Sequence, residues 1–159
     1  MEPIASFTID HNRLQRGVYV SRKDPVGGTS VTTFDIRMKL PNREPVLDIP
    51  ALHTIEHIGA TWLRNHSEWG SRVLYFGPMG CRTGVYLLAE GDLSSRDILP
   101  LVTGLFLYLR DFTGPVPGAT AEGCGNYLSQ DLPIARWEAE KFLSETLNGI
   151  RPEQLTYPE

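Results

Sequence analysis

Residues Ser30 to Leu40 constrain the fold more than any other stretch, because apolar and polar positions alternate along them. Thr32, Phe34, Ile36, Met38 and Leu40 fall on one side; Val31, Thr33, Asp35, Arg37 and Lys39 fall on the other. That period is the mark of a half-buried β-strand, which needs a sheet around it and an apolar layer against one face. The rest of the chain offers both. Val18 to Arg22 reads as a strand entering the turn Asp24-Pro25-Val26-Gly27-Gly28, and Arg72 to Phe76 and Val85 to Glu90 read as an antiparallel pair flanking a loop. Helices are expected from Pro50 to about Asn65, from a capping box at Ser94 to Asp97 on to about Arg110, and from Asp131 to near Gly149. The implied class is α+β: an antiparallel sheet with helices packed on one face, forming an α/β sandwich. One wet face is normal for such a sheet, so the Asp35 and Arg37 side is expected to meet solvent.

A chain of 159 residues can bury a real core, and residues 1–159 are read as a single domain. The net charge is −4 and the Lys and Arg residues are scattered, which argues against a nucleic-acid partner. The most apolar segment, Ile98 to Leu109, is interrupted by Pro100, Thr103 and Gly104 and is too short to span a membrane. Met1 to Phe7 lacks the basic and apolar regions of a signal peptide, so a cytoplasmic location is the default expectation.

On the first helix the run His53-Thr54-Ile55-Glu56-His57 places two imidazoles and a carboxylate within one turn on a common side. Ala51, Ile55, Ile58 and Trp62 occupy the opposite side, so the helix is anchored by its apolar face and offers His53, Glu56, His57, Ala60 and Arg64 to a cleft. Two histidines this close suit a divalent metal with an adjacent base, and equally an ordinary hydrogen-bonded pair at a surface. A catalytic ion needs a third protein ligand. The two cysteines, Cys81 in Pro78-Met79-Gly80-Cys81 and Cys124 in Gly123-Cys124-Gly125, are candidates; alternatively each is a small buried hydrophobe, or the two form one disulfide. Thr113 to Gly125 makes a long loop ahead of Asn126, and loops of that length without structure of their own are often functional. An inverted zincin peptidase shares the His-x-x-Glu-His spacing, and a structural zinc protein shares the ligand types.

These blocks, taken in order, resemble the S-ribosylhomocysteine lyases of the LuxS family. The likeness is carried by Ser6-Phe7 with Asp10-His11, Phe34-Asp35-Ile36-Arg37, Pro41-Asn42, Leu52 to His57, Pro78 to Cys81 with Thr83-Gly84, and Cys124 to Tyr127 ahead of Asp131-Leu132. It implies metal ligands His53, His57 and Cys124, an acid/base pair Cys81 and Glu56, and substrate contacts from Ser6, His11 and Arg37. It further implies one Fe²⁺ per subunit, replaceable by Zn²⁺ or Co²⁺, and a homodimer with active sites at the subunit interface. The activity implied is cleavage of S-ribosylhomocysteine to homocysteine and 4,5-dihydroxy-2,3-pentanedione, the autoinducer-2 precursor. Four places depart from the family's habit: Arg82 replaces a Gln, Gly77 a Ser, Gln130 a His, and the run Arg72 to Phe76 lacks an acidic residue.

Overall fold

The computed structural model describes residue 4 and residues 7–158. Among these lie four strands, β1 (Gly17–Val26), β2 (Thr29–Arg37), β3 (Val73–Pro78) and β4 (Gly84–Glu90), and three α-helices, α1 (Ile49–Arg64), α2 (Ser95–Asp111) and α3 (Leu132–Glu145). The strands form one antiparallel sheet in the order β1-β2-β4-β3, which puts the alternating segment at its centre.

Register decides which side chains share a face. Phe34 pairs with Val20 and Leu87, and Ile36 with Val18 and Val85, so these residues line one side of the sheet. The helices close over that side. Ala51, Leu52, Ile55 and Ile58 of α1, Ile98, Val102, Leu105 and Phe106 of α2, and Ala135, Ala139, Phe142 and Leu143 of α3 join those strand residues in one core. Ser94 and Asp97 cap α2 reciprocally, and Asp131 caps α3 by accepting from the Ile134 amide at 2.9 Å. The α+β arrangement read from the sequence is the one observed.

Four details differ from the expectations. First, β1 runs on through Asp24, Pro25 and Val26, which pair with Val31, Ser30 and Thr29, and the turn shrinks to Gly27 and Gly28. Pro25 is tolerated because β1 is an edge strand, where a missing N–H need cost no ladder bond. Second, β2 stops at Arg37, since the amides of Met38 and Lys39 both turn to the Thr83 carbonyl, at 2.9 and 3.0 Å. Third, the face expected to be wet is covered: Asp35 and Arg37 are 1% and 3% exposed. They form a buried ion pair, and Tyr157 from the end of the chain lies against it. Fourth, α3 ends at Glu145, and Leu147–Gly149 continues as a 3-10 turn. No helix among the described residues is long and apolar enough to cross a membrane.

Candidate active site

Because Ala51, Leu52, Ile55 and Ile58 take the buried positions of α1, His53, Glu56 and His57 are left half-exposed beside the long loop between α2 and α3. That loop fixes both rings. His53 Nδ1 donates to the Ser129 carbonyl at 2.8 Å, and His57 Nδ1 donates to the Pro117 carbonyl at 2.7 Å. A carbonyl can only accept, so each neutral ring carries its proton on Nδ1 and offers a lone pair at Nε2. Metal-ligating histidines are oriented in this way. Gly118, at φ 67°, turns the chain just after the Pro117 carbonyl, a backbone angle that disfavours other residues.

The same loop delivers Cys124, with Sγ 3.5 Å from His53 Nε2 and in reach of the Asn126 amide at 3.4 Å. Ligand atoms of His53, His57 and Cys124 all lie within 4.8 Å of one another, the one such group among the described residues. Metal–nitrogen and metal–sulfur bonds of about 2.0 and 2.3 Å at tetrahedral angles would space such atoms about 3.5 Å apart. The donor set therefore fits one divalent ion with a fourth position open. Glu56 shares a cavity of about 300 Å³ with His57, Pro117 and Gly118.

Cys81 sits elsewhere, in the turn joining β3 to β4, and is exposed. The Arg82 amide bonds back to the Met79 carbonyl at 2.9 Å, and Arg82 takes the left-handed conformation at φ 58°. This bend brings Cys81 Sγ and Thr83 Oγ1 to 3.0 Å. Arg37 Nη1 donates to Thr83 Oγ1 at 2.6 Å and approaches Cys81 Sγ at 3.8 Å. Since guanidinium has nothing to accept with, the single Thr83 hydroxyl proton is free to point at the sulfur. Two donors, the Thr83 hydroxyl and the Asp35-paired guanidinium of Arg37, thus converge on Cys81. A cavity of about 290 Å³ opens in front of it, lined by His11, Arg37, Tyr86 and Tyr157 among others. His11 is held by Nδ1 donating to the Ile9 carbonyl at 2.9 Å. Both cysteines are free, so no disulfide joins them.

The family described as S-ribosylhomocysteinase (LuxS) matches residues 4–153 of this chain. Among its relatives, the S-ribosylhomocysteine lyase of Phocaeicola vulgatus is 60% identical over 99% of this chain and 98% of its own length. That of Porphyromonas gingivalis is 58% identical over the whole of both. That of Borreliella burgdorferi is 51% identical over 99% of this chain and all of its own. The chain belongs to the S-ribosylhomocysteinase family.

Within an S-ribosylhomocysteinase framework the departures acquire physical reasons. A Cβ at Gly77 would lie 2.0 Å from the Tyr75 hydroxyl, so the phenol of Tyr75 covers the space that a side chain at 77 would fill. A side chain at 77 would have to displace the Tyr75 phenol. Gln130 Oε1 accepts from the Thr54 hydroxyl at 2.7 Å, and its side chain lies against the His53 ring, with Nε2 3.2 Å from Nδ1. Of the residues singled out from the sequence, His53, His57 and Cys124 come together beside Glu56, while Cys81, Arg37 and His11 come together around a second cavity. Ser6 lies outside the described residues. Sequence reasoning passed over Thr83, Asp35 and Tyr157 as neighbours of Cys81. Asp35 and Arg37, two apart on one strand, share a face and could have been paired from the alternation; Tyr157 carries no local signal, because its place depends on the chain end folding back.

Proposed function

We propose that this chain cleaves S-ribosylhomocysteine to homocysteine and 4,5-dihydroxy-2,3-pentanedione in the cytoplasm, as a homodimer holding one Fe²⁺ per subunit. Membership of a family whose relatives are called S-ribosylhomocysteine lyase supports the substrate. The observation that carries the reading is the cluster of His53, His57 and Cys124, with Glu56 lining the same cavity as His57.

Bound there, the ion supplies Lewis-acid polarisation of the sugar oxygens, which makes the neighbouring C–H bonds acidic enough for side-chain bases. Cys81 takes a proton from one sugar carbon and returns it to the next, so that the carbonyl migrates along the open-chain sugar in two isomerisations. Glu56 removes the proton whose C–H electrons form the new C=C bond as the C–S bond breaks. Homocysteine leaves as its thiolate and is protonated, and the enol left behind gains a proton at its terminal carbon as its O–H proton is lost, which gives the diketone. Positioned acid/base groups of this kind contribute roughly 10² to 10⁴ in rate each. Ser6, His11 and Arg37 are assigned to the substrate side, with Arg37 also holding Cys81.

The homodimer has a structural motive. Glu56 and His57 border one cavity, Cys81 and His11 border another, and the two cavities share no lining residue. Cys81 belongs with Asp35, Arg37 and Tyr86 on the side of the sheet opposite the helix-covered core, where the apolar residues Phe7 and Tyr75 are 75% and 47% exposed. A second copy packed against that side would cover them and complete each site.

Anaerobically prepared protein loaded with Fe²⁺ should release homocysteine thiol from S-ribosylhomocysteine. Cys81→Ala and Glu56→Ala should each abolish turnover and keep the metal, whereas Cys124→Ala should lose it. Metal retained at full stoichiometry in Cys124→Ala, measured by elemental analysis, overturns the ligand assignment.

A further inference from the structure

Tyr157, two residues from the chain end, lies over the buried side of β2 and is not accounted for by the chemistry above. Its ring stacks on Tyr19 with centroids 4.9 Å apart and planes 14° from parallel. Tyr19 is itself fully buried and anchored through its hydroxyl to the Gln15 carbonyl at 3.0 Å. The segment before Tyr157 is pinned as well: Ser95 Oγ donates to the Leu155 carbonyl at 2.9 Å, and Gln154 Nε2 donates to the Arg16 carbonyl at 3.1 Å. So held, the Tyr157 hydroxyl donates to Asp35 Oδ2 at 2.8 Å.

Asp35 is where the contact becomes chemical. Its carboxylate takes both the Nε and the Nη2 of Arg37, which leaves Nη1 as the nitrogen that reaches Thr83 and Cys81. The carboxylate thereby fixes the plane and rotation of the guanidinium, as a two-point contact does. It also opposes the field of Arg37 at the sulfur. A hydrogen bond that draws charge from Asp35 onto a neutral donor strengthens the net positive potential at Cys81, and in a buried network such a bond polarises its neighbours.

We propose that Tyr157 is a positioning residue for Cys81, acting through Asp35 and Arg37 to hold the guanidinium on the sulfur and to moderate the carboxylate that competes with it. This rests on the reading of Cys81 as the proton-moving group. Burial first, and then the charge of Asp35, push the ionisation of Tyr157 far above the ordinary phenol range, so the hydroxyl stays a donor at every working pH. Tyr86, facing the same cavity from β4, is pushed up by burial and then by Asp35, and stays neutral too. The charged and titratable groups around Cys81 are then Arg37 and Asp35 from β2, His11 from the N-terminal segment and the adjoining Arg82, with Tyr157 acting on the first two.

Tyr157→Phe tests this, since it keeps the stacked ring and removes only the hydroxyl. In metal-loaded full-length protein, the rate of Cys81 alkylation by iodoacetamide is followed against pH by mass spectrometry of the Cys81 peptide. The profile should move to higher pH, with alkylation at neutral pH slowed about threefold, a modest loss for one hydrogen bond relayed through a carboxylate. In turnover, kcat should fall and KM for S-ribosylhomocysteine should hold. A merely structural plug would lower the unfolding temperature and leave the profile in place, and an unchanged profile in folded Tyr157→Phe protein overturns the proposal. A shifted profile with unchanged kcat upholds the positioning and overturns the assignment of Cys81 to proton transfer, as does turnover that survives Cys81→Ala.

Discussion

Glu44 shows at the scale of one residue how the segments around the sheet are tied. Its carboxylate accepts Nε and Nη2 of Arg16 at 2.9 and 2.8 Å, the amide of Leu40, and Nζ of Lys141 on α3 at 3.1 Å. Burial works against the ionised form, but these donors outweigh it and hold the group at about 2, below the ordinary 4.5. A carboxylate depressed on folding contributes stability that is complete above its unfolded value and is lost as pH falls through the folded one. In metal-free protein, where loss of the ion cannot intrude, the thermal midpoint should fall between pH 4.5 and about 2 more steeply than that of Glu44→Gln. The difference between the two proteins should close at the acid end. Parallel curves over that range would show that the Arg16 and Lys141 contacts contribute nothing net.

At the scale of elements, the placement of the metal ligands depends on how closely α1 approaches β3. Gly59 makes that approach possible: a Cβ there would lie 2.4 Å from Cε1 of Phe76, which is itself buried at 4% exposure. Gly59→Ala should therefore overpack the contact and lower stability by about 1 to 3 kcal/mol, read as a lower urea midpoint with an unchanged slope. Phe76→Leu in the same chain should recover part of the loss. A neutral Gly59→Ala would mean that α1 can retreat from the sheet without strain. Elements of this kind were legible where the signal is local. The periodicity after Pro50, the capping box at Ser94 and the Asp131 cap each mark a helix start, and α1, α2 and α3 begin there. What local pattern could not show is what covers a face. The Asp35 and Arg37 side reads as solvated because its residues are polar, yet it is buried by Tyr157 and by the Cys81 turn, contacts that join positions far apart in the chain. Lys39 is similar: it is 3% exposed because Glu138 of α3 meets it at 2.7 Å, a pairing no alternation along β2 announces.

At the scale of the whole molecule, the two halves of the proposed chemistry stand apart within one chain. The residue types for both were legible, because His53, Glu56 and His57 are neighbours on one helix and Cys81 stands in a distinctive turn. Their separation was not, since it follows from the sheet lying between the Cys81 side and the helical side. If each working site joins Glu56 of one subunit to Cys81 of the other, two inactive variants should repair each other. In a heterodimer of Cys81→Ala with Glu56→Ala, one of the two sites then holds both substitutions and the other holds neither. Such a heterodimer, isolated through two different affinity tags after co-expression, should show about half the wild-type activity per dimer, since one of its two symmetry-related sites is intact. If both groups instead act within one subunit, every site in the heterodimer lacks one of them, and activity stays at the level of the single variants. The comparison needs only the tagged homodimers as controls, and recovery of thiol release in the mixed species alone would locate the reacting groups on opposite subunits.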